Sequence, residues 1–373
     1  MDLVALVGNG LSIACEPRFS CSSLTIGMQE KFKNLGLDGA DTALRKFAEK
    51  LNNSRSIDNA FEEMLGPLEA ASGVLGGLYE MASALRSSMP GNGDKILESL
   101  RRAERFSDLF YRLGSTGILE LIEEVSEGVD ISIPKALVEG LVEVAAPGKL
   151  TIGTLNYDAL LLSAVLAIDE ERRTAGDLHF AADMADGRVE MFHEVTPRKE
   201  IRGHRIRRSI SDFPSWPLTL LALHGSLTWL RDTRSGDVWK FELSDIRSNP
   251  NYWNDILQSS DWKPAVIMTN QSGKASRVTE QPFKLAYEAF QERLGGASRW
   301  MIGGYGFGDE CVNSVLAEVA AKRHGVNCLV VTHAGSPTRD KVEEVLRGVS
   351  SCHIYDGDLK DLLRADEWRE WRR

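Results

Sequence analysis

Apolar and polar positions along this chain follow two different periods. Leu3 to Val7 is short and wholly apolar, as a strand covered on both faces requires. Gly8-Asn9-Gly10-Leu11-Ser12 then turns it tightly into a helix start. Over residues 24–147 the period becomes helical. Leu44, Phe47, Ala48 and Leu51 recur on one face of 41–51. Ser56 or Asp58 is placed to cap the next helix, whose stripe is Phe61, Met64, Leu65 and Leu68. Pro90-Gly91-Asn92-Gly93 breaks the pattern. Ile96, Leu97 and Leu100 resume it, then Phe106, Leu109 and Phe110, with further amphipathic turns over 118–125 and 134–144. Stripes of this kind predict helix packing.

Strand-like runs return at 150–154, 218–223, 265–269, 300–303 and 328–332, with a last short one at 353–355. Wholly apolar strands alternating with helices predict an α/β fold: a Rossmann-like parallel sheet with helices on both faces. The expected organisation is a single domain over 1–373. It carries a helical insertion at 24–147 and an irregular insertion at 169–217, where the pattern lapses. In parallel sheets ligands bind beyond the C-terminal strand ends. The polar residues of interest, after 3–7, 150–154, 218–223 and 300–303, all stand there.

Composition narrows the classes. The 373 residues are 43% hydrophobic and 26% charged, ordinary for a globular chain, and the net charge of −10 argues against a general polyanion-binding surface. One local exception is Arg198 to Arg208, a basic run in the second insertion. It reads as a solvated loop or hairpin, with a contact for nucleic acid, phosphate or an acidic partner as the alternative. No apolar run is long enough to span a bilayer and the N-terminus lacks a basic leader region, so a cytoplasmic location without membrane attachment is expected. Cys15, Cys21, Cys311, Cys328 and Cys352 form no CxxC pair, so no metal site is expected. The tail holds Trp368 and Trp371 beside arginines, residues favoured where a terminus docks on the body or on another subunit.

Four motifs follow successive strands: Gly8-Asn9-Gly10-Leu11-Ser12, Thr154-Leu155-Asn156-Tyr157-Asp158, Leu223-His224-Gly225-Ser226 and Gly303-Gly304-Tyr305-Gly306-Phe307-Gly308-Asp309, the last continuing to Asn313. In this order they resemble the sirtuin superfamily, and more closely its bacterial sirtuin-like branch found in defence systems. That branch writes the second motif as Thr-x-Asn-Tyr-Asp and the last as Gly-Tyr-x-Phe-x-Asp followed by Asn. Asn59-Ala60-Phe61-Glu62-Glu63-Met64-Leu65 is similar to a Phe-Glu segment of that branch's helical insertion. The cysteine pairs that hold a zinc module in protein-deacetylating sirtuins are missing, which counts against lysine deacetylation. Asn9 replaces the usual alanine of the first turn.

The resemblance implies an NAD+ glycohydrolase that releases nicotinamide and ADP-ribose, with NAD+ as substrate. The chemistry suits these residue types. Nicotinamide leaves as a neutral molecule from a cationic ring, so the site must orient water or a ribose hydroxyl and hold the substrate. Asn156 offers a donor and an acceptor on one short side chain. His224 can serve as base near neutral pH, and Asp158 can accept from the carboxamide. Asn156 and Asp158 can equally cap the following helix, His224 can be a structural histidine, and Asp309 reads first as a turn or cap residue. The expected catalytic residues are Asn156, His224 and Asp158, and the expected binding residues are Gly8, Asn9, Gly10, Ser12, Thr154, Tyr157, Gly303, Gly304, Tyr305, Phe307 and Asp309, with Gly8, Gly10 and Ser12 meeting the phosphates and Gly304, Tyr305 and Phe307 near the adenosine half.

By the same resemblance the protein is expected to be a gated antiphage-defence effector that depletes NAD+. Longer members carry their own sensor domain, and none is expected in the sequence after Asp309. Control is therefore expected from homo-oligomerisation or a partner protein, a HerA-type DNA-translocating ATPase ahead of a short Argonaute. The competing readings are an NAD-dependent deacylase or ADP-ribosyltransferase, and a non-catalytic module that senses NAD+ or ADP-ribose.

Overall fold

The apolar run that opens the chain becomes the middle strand of its main sheet. In the computed structural model the strands are β1 (Leu3–Val7), β2 (Leu150–Thr154), β3 (Ala181–Ala182), β4 (Ala185–Phe192), β5 (Ile201–Ile206), β6 (Leu218–Ala222), β7 (Gly225–Asp232), β8 (Val238–Phe241), β9 (Trp262–Val266), β10 (Arg299–Gly303), β11 (Asn327–Thr332) and β12 (Ser351–Asp356). Seven form a parallel sheet in the order β12-β11-β10-β1-β2-β6-β3, and five form a second, antiparallel sheet in the order β4-β5-β8-β7-β9. The structure describes all residues except 38, 53–60, 87–91, 177–178, 197–198, 324 and 334–337. The proposed caps Ser56 and Asp58, Asn59-Ala60, Pro90-Gly91, Arg198 and His324 lie outside the described residues, as do the side chains of Phe47, Ala48 and Leu51.

The helices are α1 (Gly10–Cys15), α2 (Cys21–Asn34), α3 (Ala40–Asn52), α4 (Phe61–Ala84), α5 (Gly93–Ser126), α6 (Ser132–Ala145), α7 (Leu160–Thr174), α8 (Leu243–Arg247), α9 (Tyr252–Gln258), α10 (Gln271–Arg277), α11 (Phe283–Gly296), α12 (Glu310–Lys322), α13 (Thr338–Val345) and α14 (Asp366–Trp371). The period of two explains why β1 has no polar face. Val4 and Leu6 point into a core with Ala286 and Phe290 of α11 and Leu316 of α12. Leu3, Ala5 and Val7 point into the opposite core with Leu137 and Leu141 of α6 and Leu161 of α7. A third core joins α2, α4 and α5 to the antiparallel sheet through Phe32, Leu65, Leu119, Leu230, Phe241 and Trp262. The α/β architecture expected from the pattern is thus observed, with a second sheet added.

Two segments differ from expectation. Residues 265–269 read as a strand of the parallel sheet, yet β9 runs Trp262–Val266 and pairs antiparallel with β7. Ala265 belongs to the first core and Val266 to the third, so the run is apolar because both faces are covered, whatever its direction. The pattern lapses over 169–217, yet the end of α7 and strands β3 to β5 lie there. β4 is mostly exposed and its pairing with β5 shifts between Ala185 and Val189, which erases the alternation a sequence reader needs.

The described part of the basic run, 199–208, lies just before, on and after β5, a hairpin partner of β4, and several of its charges are paired. Lys199 and Arg202 lie 3.3 and 3.5 Å from Asp245, His204 is 2.6 Å from Glu242, and Arg208 is 2.7 Å from Asp237. The tail docks on the body. Trp371 is fully buried and its indole N–H donates to the Asn327 carbonyl at 3.1 Å. Among the described residues no helix is long and apolar enough to cross a membrane.

Candidate active site

β2 and β10 flank β1 on opposite sides, so the chain leaves the sheet centre in both directions. This topological switch opens a crevice beyond the C-terminal ends of β1 and β10. The two loops that leave it interlock by backbone. Gly8 N–H donates to Gly303 O at 3.0 Å and Gly10 N–H to Gly304 O at 2.9 Å. A Cβ on Gly10 would stand 2.6 Å from Gly304 Cα, and Gly304 itself has φ +65°. Glycine is required here for close approach, since no side chain fits between the loops. In this structure the N–H groups of Gly8 and Gly10 are engaged by the second loop and the Ser12 hydroxyl by Asp158.

Ser12 instead organises the catalytic candidates. Its hydroxyl donates to Asp158 Oδ2 at 2.6 Å and accepts from Asn156 Nδ2 at 2.8 Å. The β2 end is pinned by Leu155 N–H to Val7 O at 3.0 Å, and Thr154 Oγ1 accepts from the Asn156 N–H at 3.1 Å. Asp158 Oδ1 also accepts from the Leu160 N–H at 3.0 Å, a turn bond one residue ahead of the α7 N-cap, which is Ala159. Burial pushes the Asp158 carboxyl up from its usual range, and the bonds from Ser12 and Leu160 oppose that only in part. Asn156 is 6% exposed, and among the described residues its Oδ1 finds no hydrogen-bond partner. A buried amide oxygen left unpaired is an acceptor waiting for water or ligand.

His224 stands where the chain crosses between sheets, two residues after β6 and just before β7. Gly225 makes the crossing with φ +83°, and a Cβ there would meet the Ala265 carbonyl at 2.3 Å. The crossing aims His224 at the loop after β10. Its Nε2 lies 3.2 Å from the Tyr287 hydroxyl and 3.3 Å from Asp309 Oδ2. Asp309 is the N-cap of α12, where Oδ1 accepts from the Cys311 and Val312 N–H groups at 3.0 and 3.1 Å. Its Oδ2 is also 3.1 Å from Lys274 Nζ, which is 3.0 Å from Glu62 Oε2 of α4. Burial pushes Asp309 up, but His224, Lys274 and the backbone donors outweigh it and hold this carboxyl well below the usual range. For Lys274 burial is outweighed in the same way by Glu62 and Asp309, which raise it. Asp158 and Asp309 are therefore shifted in opposite directions within one site.

One cavity of about 300 Å³ collects these groups. Gly8, Asn9, Asn156, Tyr157, Asp158, His224, Gly304, Tyr305 and Asp309 all line it. Gly10, Ser12, Thr154, Gly303 and Phe307 do not. Gly10 and Gly303 hold the two loops together, and Ser12 and Thr154 hold Asn156 and Asp158. Phe307 is buried at φ +53°, with its carbonyl accepting from Asn313 Nδ2 at 3.0 Å. Tyr305 spends its hydroxyl on Asp309 O and Asn313 Oδ1, and Asn9 donates to the Phe19 carbonyl. Sequence reasoning missed Lys274, Tyr287 and the lining of the cavity by Phe19, Phe61, Glu62 and Ile122. Glu62 was in view within the Phe-Glu segment, without a role. Lys274 lies in the short α10, which shows no motif.

No protein-family profile and no curated protein matches the chain. Solved structures do. A Sir2 homologue in complex with NAD is 12% identical, with all of this chain aligned to 89% of it at a TM-score of 0.44. A Sir2 homologue mutant in complex with 2′-O-acetyl ADP-ribose is also 12% identical, with all of this chain aligned to 92% of it at 0.41. A Sir2 protein bound to a propionylated peptide aligns with 69% of this chain and 79% of its own, at 12% identity and 0.39.

Proposed function

We propose that this protein is an NAD+ glycohydrolase, hydrolysing the bond between nicotinamide and ribose. The observation that carries the reading is the Asn156 amide. Ser12 holds its nitrogen, its oxygen is left without a partner among the described residues, and it shares one cavity with His224 at the sheet's topological switch. The bond that breaks already has a cationic leaving group. Nicotinamide departs with the C–N electron pair as a neutral molecule, and no acid is needed. The ribosyl centre becomes oxocarbenium-like, and what the protein supplies is orientation and removal of one proton.

Each residue then has a task. Asn156 Oδ1 accepts from a water or ribose hydroxyl and sets its direction. His224 takes the proton released as water adds at C1′. Asp158 accepts from the carboxamide NH₂. Gly304 and Tyr305 border the adenosine half. Phe61, Glu62 and Ile122 come from the helical insertion and close the cavity, which makes that insertion the natural place for control. An ungated hydrolase of NAD+ is toxic to its own cell. This fits an antiphage effector switched on by homo-oligomerisation or by a partner such as a HerA-type DNA-translocating ATPase.

The test is nicotinamide release from NAD+ by the purified chain, alone and with candidate partners, compared with Asn156→Ala and His224→Ala. Release in the wild type and loss of at least about 100-fold in both variants is expected, the scale of a lost general base. Release only with an acyl-lysine peptide would mean a deacylase. Tight binding without release under every condition would mean a sensing module.

A further inference from the structure

The loop after β10 reaches His224 from the side that the sequence reading assigned to adenosine. Asp309 Oδ2 and the Tyr287 hydroxyl are the polar groups at Nε2. Two helix N–H groups donate to Oδ1 of Asp309, while Oδ2 accepts no directed hydrogen bond among the described residues and is held by the ion pair to Lys274 Nζ at 3.1 Å. An ionised carboxylate only accepts, so an imidazole facing it presents N–H. The separation of 3.3 Å is long, as such contacts often are before substrate is bound. Tyr287, by contrast, can donate to Nε2 or accept from it, so the two neighbours compete to set the tautomer. The other titratable groups near this cluster are Tyr157 beside the imidazole, Cys311 and Tyr305 near Asp309, and Glu62 beyond Lys274.

We infer that Asp309 is a positioning residue for His224: it keeps the proton on Nε2 and leaves Nδ1 as the basic nitrogen, while Lys274, tied to Glu62 of the helical insertion, holds the carboxylate in place. The inference rests on His224 being the base of the proposed hydrolysis. In that step a water O–H bond breaks, its proton goes to Nδ1, and its oxygen forms the bond to C1′ as nicotinamide leaves with the C–N pair. The imidazolium that results is stabilised by Asp309 until Nδ1 returns its proton to solvent. The same chain of contacts links α4 of the insertion to the base, so displacing Glu62 loosens Lys274 and then Asp309.

Asp309→Asn separates the cap of α12 from the carboxylate's contacts to His224 and Lys274. The amide oxygen keeps the cap on Cys311 and Val312, while the amide NH₂ replaces the acceptor at Nε2 by a donor. Nitrogen-15 NMR of histidine-labelled protein, with the His224 signal assigned by His224→Gln, reads the tautomer without substrate. The wild type is expected to show His224 protonated at Nε2, Asp309→Asn to move it to Nδ1, and Tyr287→Phe to leave it at Nε2. In nicotinamide release, kcat of Asp309→Asn falls by roughly 30-fold or more while KM stays within about threefold, and Asp309→Glu recovers part of the loss. An Nδ1-protonated wild type, a tautomer that flips in Tyr287→Phe, or wild-type kcat in Asp309→Asn overturns the inference. If the wild type releases no nicotinamide, the proposed hydrolysis fails, and the tautomer measurement still decides the role of Asp309.

Discussion

Replacing Gly10 with alanine places a Cβ 2.6 Å from Gly304 Cα and 3.0 Å from its carbonyl oxygen. The first of these is about 0.8 Å short of ordinary van der Waals contact, and both atoms are backbone, so no rotamer relieves the clash. The loops must separate. Doing so lengthens Gly10 N–Gly304 O from 2.9 Å and strains Gly8 N–Gly303 O, now 3.0 Å. Overpacking of this kind costs about 1–3 kcal/mol, and a weakened buried hydrogen bond adds about 1, for a total of about 2–4 kcal/mol. Gly308 supplies the control. It lines the same cavity, but a Cβ there meets nothing within 4 Å, so Gly308→Ala is expected within about 0.5 kcal/mol of wild type. Urea unfolding of the ligand-free proteins, followed by tryptophan fluorescence, measures both. If Gly10 served only to let a phosphate approach, Gly10→Ala would unfold at the wild-type midpoint and lose only NAD+ binding. That result, or equal damage from Gly308→Ala, would refute the interlock.

Two further outcomes follow from the charges. Asp158 has its pKa raised in the fold, so its protonated form is the better folded one. Below the unfolded carboxyl value, near 3.9, it behaves like asparagine, and stability is lost as pH rises through the folded value. Asp158→Asn is therefore expected to be more stable than wild type at pH 7 and equal to it at about pH 3.5, in urea midpoints at both pH values. Glu62→Gln keeps an acceptor for the Tyr157 hydroxyl, 2.8 Å away, but leaves buried Lys274 with one carboxylate instead of two. Removing a partner from a buried pair costs about 3–5 kcal/mol, and the partial exposure of Glu62 reduces this to about 1–3, read from the same unfolding experiment. An unchanged midpoint would mean that the insertion is not fastened through Lys274.

Asn156, Asp158 and His224 could be named from the chain because each follows an apolar strand, and a strand's end is visible in a one-dimensional pattern. The parallel sheet was legible for the same reason: strands buried on both faces favour apolar and β-branched residues, and β1, β2, β6, β10 and β11 are rich in them and buried along almost their whole length. The second sheet was hidden. β4 is largely exposed with a register shift, and β9 is as apolar as a parallel strand because cores press on it from two sides. Sequence alone determined which residue types stand at the mouths of the strands. Tertiary structure decided what each one touches. It turned Gly8 and Gly10 toward a second loop, set Asp309 between His224 and Lys274, and brought Glu62 from the insertion onto Lys274. Period and turn chemistry are local and can be read along the chain. Charge pairing between residues tens to more than two hundred positions apart depends on how the helices and sheets dock.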